Sequence, residues 1–198
     1  MFELTRCFGG DDPLIISYHD TEWGVPVHND KTHYEFLILE GAQAGLSWKT
    51  ILHRREGYKE AFSKFDPILV AQYIPEKVDE LLQYSGIIRN RRKVESAVKN
   101  AHAFLRVQQE FGSFDKYFWN WVEGTPIINE YASWQEVPPF TDLSTTISKD
   151  LKKRGFSFVG PTIMYSHMQA TGLVNDHLTT CFRWKEINEL NNEDKKGN

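Results

Sequence analysis

Apolar residues recur at three- and four-residue spacings in HYEFLILEGAQAGL (33–46), WKTILHRREGYKEAF (48–62), PEKVDELLQY (75–84), RKVESAVKNAHAFLRVQQEF (92–111) and TTISKDLKKRG (145–155). That spacing gathers side chains on one face of a helix, whereas a half-buried strand would alternate residue by residue. Alternation is nearly absent, so the chain is expected to be all-α, with short connections. Punctuation supports this: Gly45 can end one helix and Ser47 cap the next, Pro75 suits a helix start, and GTPIINEYASWQEVPPF (124–140) reads as an irregular connection. The 198 residues suffice for one domain with a sizeable core, or for two small lobes sharing one. A single helical domain of two lobes is expected over 1–185, followed by a polar, disordered tail over 186–198.

With no basic and apolar leader and no apolar run longer than stretches such as FLIL, the protein is expected to be soluble, cytoplasmic and unattached to membranes. Its net charge of -4 argues against bulk polyanion binding. HRR at 53–55, RNRRK at 89–93 and KKR at 152–154 can still form a local basic face, although solvated helix surfaces look the same.

The two cysteines lie near opposite ends, Cys7 followed by His19 and Cys181 preceded by His177. In a reducing compartment such distant thiols are poor disulfide candidates, which leaves metal ligation or two inert buried thiols. Zn²⁺ favours four Cys and His ligands held tetrahedrally, and His-x-x-x-Cys on a helix projects both side chains from one face. A closed four-ligand site is structural, because no position remains for a reacting water, and here it would tie the two ends together.

In LEGAQAGLSWKTI, Glu40 sits inside an apolar helical stretch eight residues before Trp48. A carboxylate in such surroundings is costly unless something specific partners it. Tyr18 and Trp23 add amphipathic aromatics near His19. Aromatics are usually core, yet aromatics with a carboxylate are also what a nucleobase pocket requires. In KKRGFSFVGPTIMYSHMQATG a basic helix end runs into Gly155, Phe158 and Gly160 and then into a second helix near Pro161. Glycines let a hairpin backbone approach a phosphate, and the amides of the following helix N-terminus are ready donors.

The segments RCFGG, DPLIISYHDTEWGVP, LEGAQAGLSW, GIIRNRRK and LKKRGFSFVGPTIMYSHMQATGLVNDH, with Cys181, closely resemble the DNA-3-methyladenine glycosylase I family, a zinc-containing branch of the helix–hairpin–helix DNA glycosylases. The resemblance implies a two-lobed helical fold, monofunctional removal of 3-methyladenine from double-stranded alkylated DNA with the free base as product, and one structural Zn²⁺ per chain. It implies Cys7, His19, His177 and Cys181 as ligands. Glu40, the catalytic candidate, and Tyr18 would meet the edge of the flipped base, Trp48 would stack on it, and Trp23 would help build the pocket. Gly155, Phe158, Gly160 and Thr162 would grip the DNA backbone. A monomer acting at the bacterial nucleoid is expected.

Two positions depart from the family pattern. The stretch from Cys7 to Pro13 is about one residue short, so the stacking aromatic that the family pattern places after the cysteine has no unambiguous counterpart, and Phe8 is the candidate taken for it. Many helix–hairpin–helix glycosylases carry a catalytic Asp beyond the hairpin, and the best-matching position holds Asn175, with Asp176 beside it. Competing classes are a zinc-stabilised DNA-binding module without catalysis and a metal-dependent hydrolase using the Cys/His site directly.

Overall fold

The computed structural model of the chain describes residues 4–194. Its helices are α1 (Pro13–Thr21), α2 (Asp30–Gln43), α3 (Trp48–Leu52), α4 (Arg55–Ala61), α5 (Pro67–Val70), α6 (Pro75–Leu81), α7 (Arg91–Phe111), α8 (Phe114–Trp119), α9 (Asp142–Lys153), α10 (Pro161–Ala170) and α11 (Phe182–Asp194). Local chemistry sets most starts. Asp12, Asn29, Ser47, Asp66, Asn90, Ser113 and Thr141 each turn a side-chain oxygen onto orphan amides of the first turn, and Pro75 opens α6, where its missing N–H costs nothing.

The core forms where α2, α7, α8, α9 and α10 meet, with Tyr34, Leu39, Phe104, Phe114, Phe118, Ile147, Leu151 and Met164 fully enclosed. Helix α2 stops at Gln43, and Gly45 turns the chain at a φ of 78° before Ser47 caps α3. Glu40 and Trp48 therefore flank a turn. Lys93, from the RNRRK cluster, donates to the carbonyl oxygens of Ala42 and Ala44 at 2.8 and 2.7 Å and so closes the α2 terminus.

The structure departs from the sequence reading in three places. The helix expected over 48–62 is broken after Leu52; the turn places His53 Nε2 2.8 Å from Asp12 Oδ2, tying α3 to the start of α1. Ile127–Ile128 (β1) pairs in parallel with Val174–Asn175 (β2), a short ladder that pins the irregular 124–140 stretch across the segment leading to His177. Thr179 N donating to Tyr131 O and Trp184 Nε1 to Asn129 O extend that seam. The expected tail is helical as far as Asp194, because Ile187 is buried and Asn188 accepts from Asn175. Residues 195–198 of that tail lie outside the described residues. No helix among the described residues is long and apolar enough to cross a membrane.

Candidate active site and metal centre

Helices α1, α2, α3 and α10 converge on a cavity of about 270 Å³ lined by Phe8, Tyr18, Trp23, Glu40, Gln43, Trp48, Trp134, Ser166 and Gln169. All the base-pocket residues expected from sequence are among them. Tyr18 lies 5.3 Å from the Trp48 ring, and Trp48 is stacked on Phe36 at 6.4 Å. Facing this group, Phe8 meets Trp23 edge-on at 5.0 Å and His19 at 4.6 Å. Pockets of about 300–1,000 Å³ suit drug-sized ligands; this smaller slot suits one flat ring system.

Glu40 is 4 % exposed and takes part in no hydrogen bond or ion pair among the described residues. Burial alone pushes its carboxyl up to about 8. Burial, and then the nearby Glu40 carboxyl, hold the Tyr18 phenol well above its ordinary range, so it remains a neutral hydroxyl. The Trp48 indole N–H is likewise buried without a partner among the described residues. The cavity thus holds an unpaired acid inside aromatic walls, an arrangement complementary to a flat, cationic ring with an exocyclic amine.

The hairpin between α9 and α10 is held from behind. Asn100 of α7 donates to Ser157 O at 2.9 Å and accepts from Ser157 N at 2.8 Å, and Ser148 donates to Val159 O at 2.6 Å. Phe156 and Val159 are buried, Gly155 turns at a φ of 99°, and Phe158 adopts a φ of 54°. Gly41, the residue after Glu40, packs so closely on this hairpin that a Cβ there would stand 3.3 Å from Phe158 Cβ. Thr162, exposed at the start of α10, lines a smaller cleft shared with Glu40, Gln43 and Leu46, so the hairpin and the base cavity face the same side.

The basic clusters are less free than their sequence suggests. Arg55 bonds Glu22 and Glu35, Arg91 bonds Asp79, and Arg154 bonds Glu110 and Asp150. Lys152 and Lys153 stay exposed beside the hairpin.

Cys7, His19, His177 and Cys181 come together, their ligand atoms all within 4.8 Å of one another, and can hold a metal ion. Each sulfur faces both rings, at 3.2 and 3.5 Å for Cys7 and 3.3 and 3.5 Å for Cys181. The remaining ring nitrogens are spoken for: His19 Nδ1 lies 2.7 Å from Asp20 Oδ1, and His177 Nε2 donates to Trp23 O at 2.9 Å. Arg6 in turn clamps Asp20. Such outer partners fix the tautomer and aim of a ligating imidazole. The hydrogen bond from Cys7 favours the Cys181 thiolate, while that thiolate and burial push the Cys7 thiol up.

Asn175 and Asp176 are both fully buried, and neither lines the cavity. Asn175 donates to Trp184 O and Asn188 Oδ1. Asp176 accepts from Asn129, Tyr165 and Gln169 at 2.6, 2.6 and 2.8 Å.

Sequence reasoning missed Gln43, Trp134, Ser166 and Gln169 as lining residues. Ser166 and Gln169 share the face of α10 that follows the hairpin, a periodicity that an explicit helical projection would have drawn. Trp134 lies in the irregular stretch, where no periodicity leads to it.

The methyladenine glycosylase family model matches residues 8–184. DNA-3-methyladenine glycosylase 1 of Escherichia coli (strain K12) is 47% identical over 179 residues, 90% of this chain and 96% of that protein. A crystal structure of 3-methyladenine DNA glycosylase I superposes with a TM-score of 0.88 at 50% identity, covering 90% of this chain and 98% of the other. A variant of 3-methyladenine DNA glycosylase I in complex with 3-methyladenine superposes with a TM-score of 0.87 at 39% identity, over 89% of this chain and 95% of that one.

Proposed function

The chain belongs to the methyladenine glycosylase family, and from that premise we propose that it is a base-excision repair enzyme, a DNA-3-methyladenine glycosylase that extrudes 3-methyladenine from alkylated duplex DNA and hydrolyses its N-glycosidic bond. The observation that carries this reading is Glu40, a carboxyl buried without a cationic partner between aromatic walls.

Methylation at N3 leaves the base positively charged while it is joined to deoxyribose, so it is already a good leaving group. The enzyme has mainly to flip the nucleotide, recognise the lesion and shelter the sugar cation until water attacks. Before the base enters, burial favours protonated Glu40. A cationic base favours the carboxylate instead, which accepts from its exocyclic amine while Trp48 and its neighbours add a cation–π attraction. The glycosidic electron pair leaves with the base and cancels its charge. Water adds to the sugar cation and loses its proton, leaving an abasic site. The attraction to the ring falls with the charge, which favours release. Among the described residues no lysine lines the cavity, so the enzyme is read as monofunctional, without a Schiff base or strand cleavage.

The hairpin supports the grip on DNA, with Gly155, Phe158, Gly160 and Thr162 along the backbone path and Lys152 and Lys153 beside it. For Cys7, His19, His177 and Cys181 the ion proposed is a structural Zn²⁺. A tetrahedral zinc with ordinary Zn–S and Zn–N bonds has S···N edges of about 3.6 Å, near the 3.2–3.5 Å found. When bound it supplies a cross-link and no open position for a reacting water. The working form is read as a monomer at the bacterial nucleoid.

Incubation with N-methylated duplex DNA followed by chromatography of the released bases tests the proposal. Release of 3-methyladenine with intact abasic strands is expected. Binding without base release would return the chain to a DNA-binding module, and a covalent adduct trapped by borohydride would overturn the monofunctional reading.

A further inference from the structure

Trp134 stands apart from the other lining aromatics in origin and exposure. It comes from the irregular stretch after β1, and it is 39 % exposed although its ring lines the cavity beside Phe8 at 6.2 Å and Trp23 at 6.1 Å. A tryptophan used only for packing would be largely covered. This one has its polar end fixed instead: the indole N–H donates to the carbonyl oxygen of Cys7 at 2.6 Å. The loop that carries it is tied down ahead of the tryptophan by the β1–β2 ladder and by Thr179 N donating to Tyr131 O, and is closed around it by Ala132 N donating to the Glu136 carboxylate at 2.9 Å. The ring is therefore held in one place while part of its surface stays uncovered at the rim of a site built for a flat cation. Tryptophan offers the strongest cation–π surface of any side chain. Phe8, on the short stretch after Cys7, is already engaged edge-on with His19 and Trp23.

We propose that Trp134 is a base-recognition residue, the outer aromatic wall against which the extruded 3-methyladenine packs. Its orientation is set by the Cys7 carbonyl, which couples the pocket mouth to the Cys/His centre. This deepens the glycosylase reading above and rests on it.

The test compares Trp134→Phe with Trp134→Leu in the intact protein. Neither replacement can donate to Cys7, so any difference between them isolates the flat ring. Calorimetric binding of free 3-methyladenine, kcat and KM on methylated duplex, and metal content are measured together, with affinities scaled to the folded fraction. The leucine variant should bind the free base about ten- to a hundredfold more weakly than wild type, as expected for loss of one stacking surface on a base, while the phenylalanine variant stays within about threefold. Both should keep their metal. Equal affinities for the two variants overturn the proposal, whether both match wild type or both are equally weak. A wild-type protein that neither binds 3-methyladenine nor releases it from DNA would instead remove the glycosylase reading, and this inference with it.

Discussion

The Cys/His centre and the Glu40 cavity share a wall, since the Trp23 ring lines the cavity while its carbonyl oxygen holds His177, yet they are finished in opposite ways. In the centre every ring nitrogen that does not face the sulfurs already has a partner, Asp20 for His19 and Trp23 O for His177. In the cavity Glu40 and the Trp48 N–H have none among the described residues. An unpaired buried carboxyl costs free energy, so a fold that keeps Glu40 unpaired in the wall of a cavity has left it for something that arrives. The first region is complete once a cation joins it and serves the fold. The second is completed only by its substrate.

The largest effect should come from undoing the completed region. Cys181→Ala, or chelation, removes the cross-link between segments 170 residues apart and should lower the unfolding midpoint by about 10–20 °C, given the weight of structural metal sites and the sensitivity of domains this size. Excision per folded molecule at low temperature should change only a few-fold. Abrupt loss of kcat on chelation, with the midpoint unmoved, would make the metal catalytic and erase the contrast between the two regions.

Asp176 lies between them and sharpens the contrast. It is fully buried and accepts from Asn129, Tyr165 and Gln169, so Asp176→Asn turns an acceptor-only group into one that presents donors to donors. A cost of about 3 kcal/mol, or about 6–12 °C, is expected for breaking a buried charged network. A stable, metal-loaded but inactive variant would restore the acid-dependent scheme of related helix–hairpin–helix glycosylases.

How much of this was legible beforehand follows the same division. Several helix positions, the Ser47 cap and Pro75 start, and the Cys/His group were readable because each rests on short-range spacing or on rare residue types: Ser47 does cap α3, Pro75 does open α6, and Cys7, His19, His177 and Cys181 do meet. Glu40 was readable because an acid within FLILEGA violates the apolar pattern. Trp134 was not, since its place depends on a two-residue parallel ladder and a bond to Cys7 O, contacts between distant segments that leave no periodic trace. The helix through Asp194 was missed because its composition is polar and what anchors it is the burial of Ile187 with the bonds of Trp184 and Asn188 to distant segments. The basic clusters misled in the other direction: Arg55, Arg91 and Arg154 are held in ion pairs, and Lys93 closes α2.

Glu40→Gln keeps the shape of the unfinished region and removes its charge. At pH 8 it should lower kcat/KM and the affinity for a cationic base about ten- to a hundredfold, the worth of one charged hydrogen bond, with metal content unchanged. The sign of the pH effect is distinctive. The Glu40 carboxyl is raised to about 8 in the folded protein from an ordinary 4.5, so the folded state holds the proton more tightly. The stability this contributes is present below pH 4.5 and is lost as pH rises through about 8. The glutamine variant should gain stability relative to wild type across that window. Wild-type kcat/KM should climb toward pH 8 as the carboxylate forms, and the variant should lose that dependence. Parallel pH profiles for the two proteins would mean that Glu40 is already paired, and the contrast between the regions would fail.

The smallest effect is expected outside both regions, at the hairpin, where Gly155 and Gly160 look alike in sequence and differ in what substituting them tests. At its φ of 99° Gly155 would strain under any side chain, and a Cβ would stand 3.1 Å from Arg106 Nη2, so a loss of binding there reports a distorted turn. Gly160 has a φ of -64° and ψ of 162°, and nothing lies within 4 Å of a Cβ built on it. Gly160→Val therefore fits the free protein, and any lost affinity must come from what approaches that open space. Binding to damaged and undamaged duplex should weaken alike, by about threefold to tenfold, as for a contact that positions the backbone and reads no base. The slope of log affinity against log salt should stay as in wild type, because no cation is removed, whereas Lys153→Ala should flatten it by about one counterion. Full affinity in the valine variant at every salt concentration would place the duplex elsewhere, leaving Glu40 a pocket whose route to DNA does not pass the hairpin.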